Sequence, residues 1–135
     1  MIPLLPFAVL AHAADPPTPA EVRWNHRLIV LVADDPDEPR LAASRTALEA
    51  HPEGAAERKL QLVTVVAGEV TGLDASAASL ASQWDFGVDA AFMGLLVGLD
   101  GTVKDRTSQA IDVEAWFRRI DSMPMRQSEM RQQER

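Results

Sequence analysis

Four acidic residues follow the first predicted strand, and their side chains could bind a divalent cation. They are Asp34, Asp35, Asp37 and Glu38. Because carboxylate oxygens are the ligands that Ca²⁺ and Mg²⁺ prefer, one interpretation is a metal-dependent enzyme built on this loop. The spacing lacks the glycine and the final glutamate of an EF-hand loop. We favour a structural role, in which these acids offset the unpaired N–H groups at the start of the next helix.

The other residue types that carry out chemistry are missing or lack partners. The chain has no cysteine, which excludes thiol–disulfide exchange, thiol-dependent peroxide reduction and cysteine-ligated zinc. Nothing in the sequence pairs His26 or His51 with a nucleophile, and His51 is expected to serve the end of a helix. No serine lies in the setting of a nucleophile elbow. The sequence therefore predicts no catalytic residue and no cofactor.

Two basic residues on the last predicted strand form a possible partner surface. Lys104 and Arg106 are two positions apart, so the strand period predicts that they share one face, with Asp105 on the other. They could bind a carboxylate or the acidic surface of a partner. Alternatively, they keep an edge strand soluble and prevent it from pairing with another sheet. We favour the protective role, and both interpretations stay open at this stage.

Charge and composition limit the classes of partner. The 135-residue chain has a formal net charge of −7 and is 47% hydrophobic, which suits one domain with a sizeable core. Nucleic-acid binding and electrostatic attachment to anionic lipid both need basic surfaces, so an acidic chain argues against them. We expect a protein partner of unknown identity.

The N-terminal residues resemble a secretory signal. Ile2 to Ala11 is apolar, and Ala11-His12-Ala13 offers small residues for cleavage after Ala13. The run is too short to span a bilayer, which takes about 20 residues, so no membrane span is expected after cleavage. We therefore expect a periplasmic or secreted protein. Residues 1–13 would be the signal, 14–22 a stiff linker without helix, 23–124 the domain and 125–135 a polar tail, frayed or helical on the surface.

The hydrophobic pattern predicts the order β-α-β-α-β-β-α. The predicted strands are Leu28–Val32, Leu60–Ala67, Phe92–Gly98 and Thr102–Thr107, and the predicted helices are Arg40–Ala50, Ala75–Trp84 and Val113–Met123. His51-Pro52 ends the first helix, Asp74 is the expected N-cap of the second, and Asp100-Gly101 predicts a type I′ hairpin turn. Trp24, Trp84 and Trp116 are expected in or near the core.

Strand polarity predicts how these elements assemble. The first and third strands are continuously apolar, as central strands are, whereas the second and fourth are more polar and suit the edges. A helical crossover makes the first two strands parallel. The prediction is a mixed four-stranded sheet of order 2-1-3-4 with helices on both faces, which is a thioredoxin-like three-layer α/β/α sandwich.

Four segments of the chain resemble one protein family. They are "RWNHRLIVLVA", "FGV", "FMGLLVGLDGTVKDR" and "IDSMPMRQSEMR", and they are similar to segments of the DUF4174 family of thioredoxin-like proteins. Lys104 and Arg106 match the family pattern, whereas Leu99, Thr102 and Asp105 depart from it. The resemblance implies a small exported bacterial protein related to domains of secreted animal matrix proteins. It implies no established activity.

Taken together, the sequence favours an exported, non-redox thioredoxin-like domain that acts by binding, as an interaction or accessory module of the cell envelope. Two alternatives remain. One is a metal-dependent or other enzyme that uses the acidic loop from Asp34 to Glu38, and the other is a structural or adhesion role.

Overall fold

A five-stranded mixed sheet forms the centre of the protein in the computed structural model, which describes residues 15–134. The predicted signal segment, residues 1–13, lies outside these residues. In chain order the strands are β1 (Arg27–Ala33), β2 (Leu60–Val66), β3 (Glu69–Thr71), β4 (Phe92–Val97) and β5 (Val103–Thr107). The spatial order is β3-β2-β1-β4-β5. Strand β1 is parallel to β2, and the other three neighbouring pairs are antiparallel.

Helices cover both faces of this sheet. In chain order they are α1 (Pro19–Val22), α2 (Pro39–Glu49), α3 (Pro52–Glu57), α4 (Ala77–Trp84), α5 (Val113–Asp121) and α6 (Pro124–Gln133). Residues of α1 and α4 pack in the core on one face, and residues of α2 and α5 pack in the core on the other. The mixed α/β class predicted from the sequence is therefore confirmed. No helix among residues 15–134 is long and apolar enough to cross a bilayer.

Strand β1 is the centre of both cores. All seven of its residues are buried, and its side chains alternate between the faces. Leu28, Val30 and Val32 enter the core beneath α4, whereas Ile29 and Leu31 enter the core beneath α5. Burying each such side chain contributes about 1.5–3 kcal/mol to folding. The continuous apolar run thus indicates a central strand correctly, because both faces of that strand must be covered.

The predicted four-strand order is not matched exactly, because the sheet has a fifth strand. The four predicted strands lie in the order β2-β1-β4-β5, and β3 pairs along the outer side of β2. Strand β2 is therefore not an edge. The turn between β2 and β3 consists of Ala67 and Gly68, whose φ angles are 51° and 80°. Two consecutive residues at positive φ are what a two-residue type I′ turn requires.

The hairpin between β4 and β5 uses a different turn from the one predicted. Gly101 has a φ angle of 84°, but Asp100 does not lie in the left-handed region. The N–H of Gly98 donates to the carbonyl of Thr102 at 2.9 Å, and the N–H of Gly101 donates to the carbonyl of Gly98 at 3.0 Å. The loop therefore has three residues, and a glycine in the left-handed region completes it.

Strand β5 contains a bulge directly after this turn. Val97 pairs with Val103, whereas its neighbour Leu96 pairs with Asp105. Lys104 is the extra residue between these pairs. Such an insertion changes the face on which the following side chains lie, and this matters for the basic residues of the strand.

Three local predictions are wrong in instructive ways. The stretch expected to hold no helix contains α1, because Thr18 caps it and Pro19 occupies its first turn, where a missing N–H costs nothing. Pro52 ends α2 as expected but also begins α3 in the same manner. The cap of α4 is Ser76 and not Asp74, since the Ser76 hydroxyl accepts the N–H of Ser79 at 3.1 Å.

The tryptophans divide between core and surface. Trp84 and Trp116 are buried, as predicted. Trp24 is 57% exposed, so its predicted position in or near the core is wrong. Its backbone has a φ angle of 72°, and its N–H donates to the carbonyl of Leu99 at 2.7 Å. This bond fixes the segment before β1 against the β4–β5 loop.

The β2–β3 hairpin provides a test of the unpredicted strand. A Cβ atom at Gly72 would lie 2.7 Å from the backbone oxygen of Leu62, whereas one at Gly68 would meet nothing within 4 Å. Both residues have positive φ, so Gly68→Ala should lower the free energy of unfolding by about 1 kcal/mol. Gly72→Ala should lower the free energy of unfolding by ~1–3 kcal/mol more than Gly68→Ala does, because the new Cβ atom would also collide with the backbone of β2. Urea denaturation measures both, and equal losses would contradict the close approach of Gly72 to β2.

Candidate functional site

The acidic loop after β1 is used mainly to start α2. The N–H of Arg40 donates to Glu38 Oε2 at 3.0 Å, and Arg40 Nε donates to the same oxygen at 2.8 Å. These hydrogen bonds from Arg40 lower the pKa of Glu38 to about 2. Asp35 accepts the N–H of Asp37 at 2.8 Å, which closes a tight turn. Nowhere in residues 15–134 do three or more His, Asp or Glu side chains form a group that could hold a metal ion.

The two histidines have structural surroundings. The ring of His51 packs edge-on against Phe117, with ring centroids 5.8 Å apart. His26 Nε2 lies 3.4 Å from the side-chain nitrogen of Gln61. His26 Nδ1 is buried and has no hydrogen-bond partner within the described part of the chain. Among residues 15–134, no hydrogen bond joins either ring to a hydroxyl that it could activate as a general base.

Lys104 and Arg106, predicted to share one face of the last strand, lie on opposite faces of the sheet. The cause is the bulge at Lys104, which shifts the alternation by one position. The Arg106 guanidinium donates to the carbonyls of Trp84 at 2.6 Å and Asp85 at 2.7 Å. It therefore closes the end of α4, where a cation is favourable. Lys104 lies on the other side, near Arg119 of α5.

Lys104 forms one wall of a cleft between the β4–β5 loop and the junction of α5 with α6. We call this the hairpin cleft; its volume is about 500 Å³. It is lined by Arg27, Gly98, Leu99, Asp100, Lys104, Arg119, Ser122, Met123, Pro124 and Met125. Three of these residues are cations and one is an anion, although the whole chain has a net charge of −7. The cleft thus concentrates positive charge beside apolar side chains.

The cations of the cleft differ in how firmly they are held. Lys104 Nζ lies 2.9 Å from Asp100 Oδ2, and both side chains are about one-third exposed. Arg119 donates to the Lys104 carbonyl at 2.8 Å but lies 4.0 Å from Asp105, and it is half exposed. Exposed ion pairs of this kind are worth about 1 kcal/mol or less, so these cations can accept a second anion. Lys104 has room here because Gly98 has no side chain: a Cβ there would lie 2.6 Å from Lys104 Cε.

Arg27 forms the inner end of the cleft and is held rigidly. Only 1% of its surface is exposed. Its two terminal nitrogens donate to Glu129 at 3.3 and 3.2 Å, and one of them also donates to the Arg58 carbonyl at 2.9 Å. Its Nε is buried and has no hydrogen-bond partner within residues 15–134. This is a donor that nothing in the described protein satisfies.

Behind the cleft, charged residues from four elements form a network that we call the arginine cluster. Its members are Arg27, Glu57, Arg58, Asp121, Arg126 and Glu129. Arg126 is buried, although the segment around it was expected to be a polar tail. Its Nε lies 2.9 Å from Asp121 Oδ1, and a terminal nitrogen lies 2.5 Å from Glu57 Oε2. The cluster therefore fastens α6 to the domain.

Charges in the cluster stabilise one another. Burial alone would raise the pKa of Asp121, but hydrogen bonds from Arg58 and Arg126 outweigh it and hold that pKa below its usual range. Burial likewise opposes the charge of Arg126, and Asp121 and Glu57 outweigh it and raise its pKa. The Arg58 guanidinium also lies 4.2 Å from the ring centroid of Phe117, which adds a cation–π contact.

The sequence interpretation missed both the hairpin cleft and the arginine cluster. The one available signal was the position of Arg27, a charged residue at the start of a strand whose other residues are apolar. A charge in that position is expected to be paired, because a buried lone charge is very costly. Its partner Glu129 lies 102 positions along the chain, and no local pattern identifies it.

Comparison with known protein families matches most of the chain. The family model described as "Domain of unknown function (DUF4174)" matches residues 18–129. This range contains the cleft and the whole arginine cluster. No curated protein and no solved structure matches the chain.

The cap of α2 predicts how stability depends on pH. The pKa of Glu38 is about 2 in the folded protein and near 4.5 when unperturbed. The ionised Glu38 carboxylate therefore stabilises the folded protein above about pH 4.5, and this stabilisation is lost as the pH falls towards 2. Glu38→Gln should be less stable than the parent at pH 5, and the difference should shrink at lower pH. Asp37→Asn is the control, since Asp37 does not cap the helix. A pH-independent difference in urea denaturation would contradict this role.

The arginine cluster predicts that α6 is needed for stability. Arg126→Ala removes a buried cation from three acidic partners, so it should lower the free energy of unfolding by about 3 kcal/mol. Arg131→Ala, an exposed change on the same helix, should alter it by less than about 0.5 kcal/mol. Denaturation midpoints measure both variants. Similar midpoints for the two would show that α6 contributes little to the fold.

Proposed function

Because the chain belongs to the DUF4174 family, a domain of unknown function, we propose that it is an exported binding module of the cell envelope that holds a protein partner at the hairpin cleft. The observation that carries this proposal is the composition of the cleft. It combines cations whose ion pairs are partly exposed with apolar side chains open to solvent. Such a mixture suits the recognition of another protein better than it suits a reaction.

Exposed apolar residues extend the proposed binding surface beyond the cleft. Met125 lines the cleft and is 44% exposed. Trp24 is more exposed still, and its backbone is bonded to Leu99 of the cleft wall. Tryptophan and methionine are enriched at protein interfaces, where large side chains exclude water from neighbouring polar contacts. Binding of a partner would cover both residues.

The proposal includes a thioredoxin-like architecture without redox chemistry. The order β2-β1-β4-β5, the parallel β1–β2 pair and helices on both faces support it, and β3 is an addition at one edge. Redox-active members of that fold carry two cysteines at the start of the helix after the first strand. Here Glu38 and Pro39 begin that helix, and the chain has no cysteine.

Export rests on the N-terminal sequence. Apolar residues from Ile2 to Ala11 and the small residues at 11 and 13 support a cleaved signal. The absence of cysteine is compatible with a periplasmic or extracellular location. Of the alternatives, a metal-dependent enzyme loses support because Glu38 is engaged with Arg40 and Asp35 with the backbone. No observation favours a purely structural or adhesion role over binding.

Crosslinking in intact cells tests the proposal. The tagged full-length chain is crosslinked under native conditions, and captured proteins are identified by mass spectrometry. Lys104→Gln with Arg119→Gln should reduce capture of a specific envelope protein by at least about tenfold, since two charge contacts are lost. The control is Lys59→Gln with Arg118→Gln, two exposed residues outside the cleft, which makes the same charge change.

Two outcomes would contradict the proposed function. One is capture of the same proteins at the same yield by the cleft variant and the control. The other is capture of no envelope protein by the parent chain. Thermal unfolding of both variants shows whether a loss of capture comes from a loss of fold. Arg106 is not substituted in this experiment, because it holds the end of α4.

A further inference from the structure

We propose that the hairpin cleft recognises the C-terminal carboxylate of a protein chain that ends in an apolar residue. This inference rests on the proposed function and names the chemistry by which the partner is bound. Three features of the cleft lead to it: its charge, its apolar wall and the exposed residues at its opening.

The charge of the cleft suits a single carboxylate. Lys104 and Arg119 have exposed ion pairs with Asp100 and Asp105, and both keep N–H groups that could donate to a further acceptor. Arg27 also lines the cleft, and its buried Nε has no acceptor within the described residues.

The opposite wall of the cleft suits an apolar side chain. It is formed by Met123, Pro124 and Met125, and Leu99 of the β4–β5 loop adds an apolar side chain from the facing side. The volume of about 500 Å³ lies in the range of sites that hold a small group, roughly 300–1,000 Å³. The two methionines have flexible and polarisable side chains, which adapt to apolar groups of different shape. We therefore expect tolerance among apolar final residues.

The exposed residues at the opening favour the end of a chain over a free organic acid. A small acid would fit entirely inside the cleft and would leave the side chain of Trp24 exposed to solvent. A protein chain would continue outward past Leu99, whose carbonyl is bonded to the Trp24 N–H, and would cover both Trp24 and Met125. Burial of these side chains adds affinity that a small acid cannot obtain.

Peptide binding to the purified full-length chain tests this inference. The probes are acetylated hexapeptides of sequence Gly-Ser-Gly-Ala-Ala-X, where X is each apolar residue in turn, made as free acids and as amides. Binding is followed by calorimetry. At least one free acid should bind about tenfold or more tightly than its amide, because only the acid presents a charged carboxylate to the cations.

Variants locate the site. Lys104→Gln with Arg119→Gln should weaken binding of the free acid by about tenfold or more, and Lys59→Gln with Arg118→Gln should leave it unchanged. Met125→Ser, an exposed change, should weaken binding while leaving the temperature of unfolding unaltered. Nonanoate, a small apolar acid, should bind more weakly than the best peptide.

Several results would overturn the inference. They are equal binding of acid and amide, no binding of any free acid, binding unaffected by the cleft variant, or tighter binding of nonanoate. None of these results contradicts the proposed function, because a protein partner could bind in the cleft through an internal segment of its own chain and not through its C-terminus. Loss of cleft-dependent crosslinking would contradict the proposed function itself. The two failures are therefore distinguishable.

Discussion

The ion pairs of Arg27 and Arg126 with one shared acidic partner, Glu129, are the constraint on which the cleft depends. Glu129 contacts both arginines, so one carboxylate joins the start of β1 to α6. The inner end of the cleft is Arg27, and its apolar wall is the segment that begins α6. Without the arginine cluster, α6 would have little else to hold it, since it is polar and buries only Arg126. A structural network thus forms the inner border of the cleft.

The bulge in β5 determines the wall of the cleft that Lys104 forms, as the arginine cluster determines the wall at the start of α6. A regular strand would place Lys104 and Arg106 side by side. The extra residue instead sends Arg106 to close α4 and leaves Lys104 at the cleft. One inserted position therefore separates a cation that closes a helix from a cation that lines the cleft. The prediction that the two residues share one face is therefore wrong, and Arg106 is bonded to the carbonyls at the end of α4.

Sequence patterns predicted the strands and helices that a continuous run of neighbouring residues determines. The apolar run of β1 had to be central because both of its faces are buried, and α2 was correct to within one residue at each end. Strand β3 was not predicted because a strand of three residues is too short to show the alternation of apolar and polar side chains. Helix α3 was not predicted because Pro52 was interpreted only as the end of α2 and not as the first residue of another helix. The bulge was missed because strand alternation assumes that no residue is inserted.

The candidate site could not be predicted for a different reason. Pairs that hold its inner end join residues 31 and 102 positions apart, namely Arg27 with the Arg58 carbonyl and with Glu129. Charged residues in a polar C-terminal segment look the same whether they are solvated or paired. Only the tertiary fold decides that Arg126 is buried while Arg131, on the same helix, is exposed.

The 102-residue separation between Arg27 and Glu129 also determines when the protein can be completed during synthesis. The central strand is among the first elements made, but its terminal arginine must wait for almost the last helix. Until residue 129 has left the ribosome, the sheet can form only with that charge lacking its carboxylate. Completion of the fold therefore waits for α6, and a chain that is shortened before α6 leaves Arg27 without its Glu129 partner.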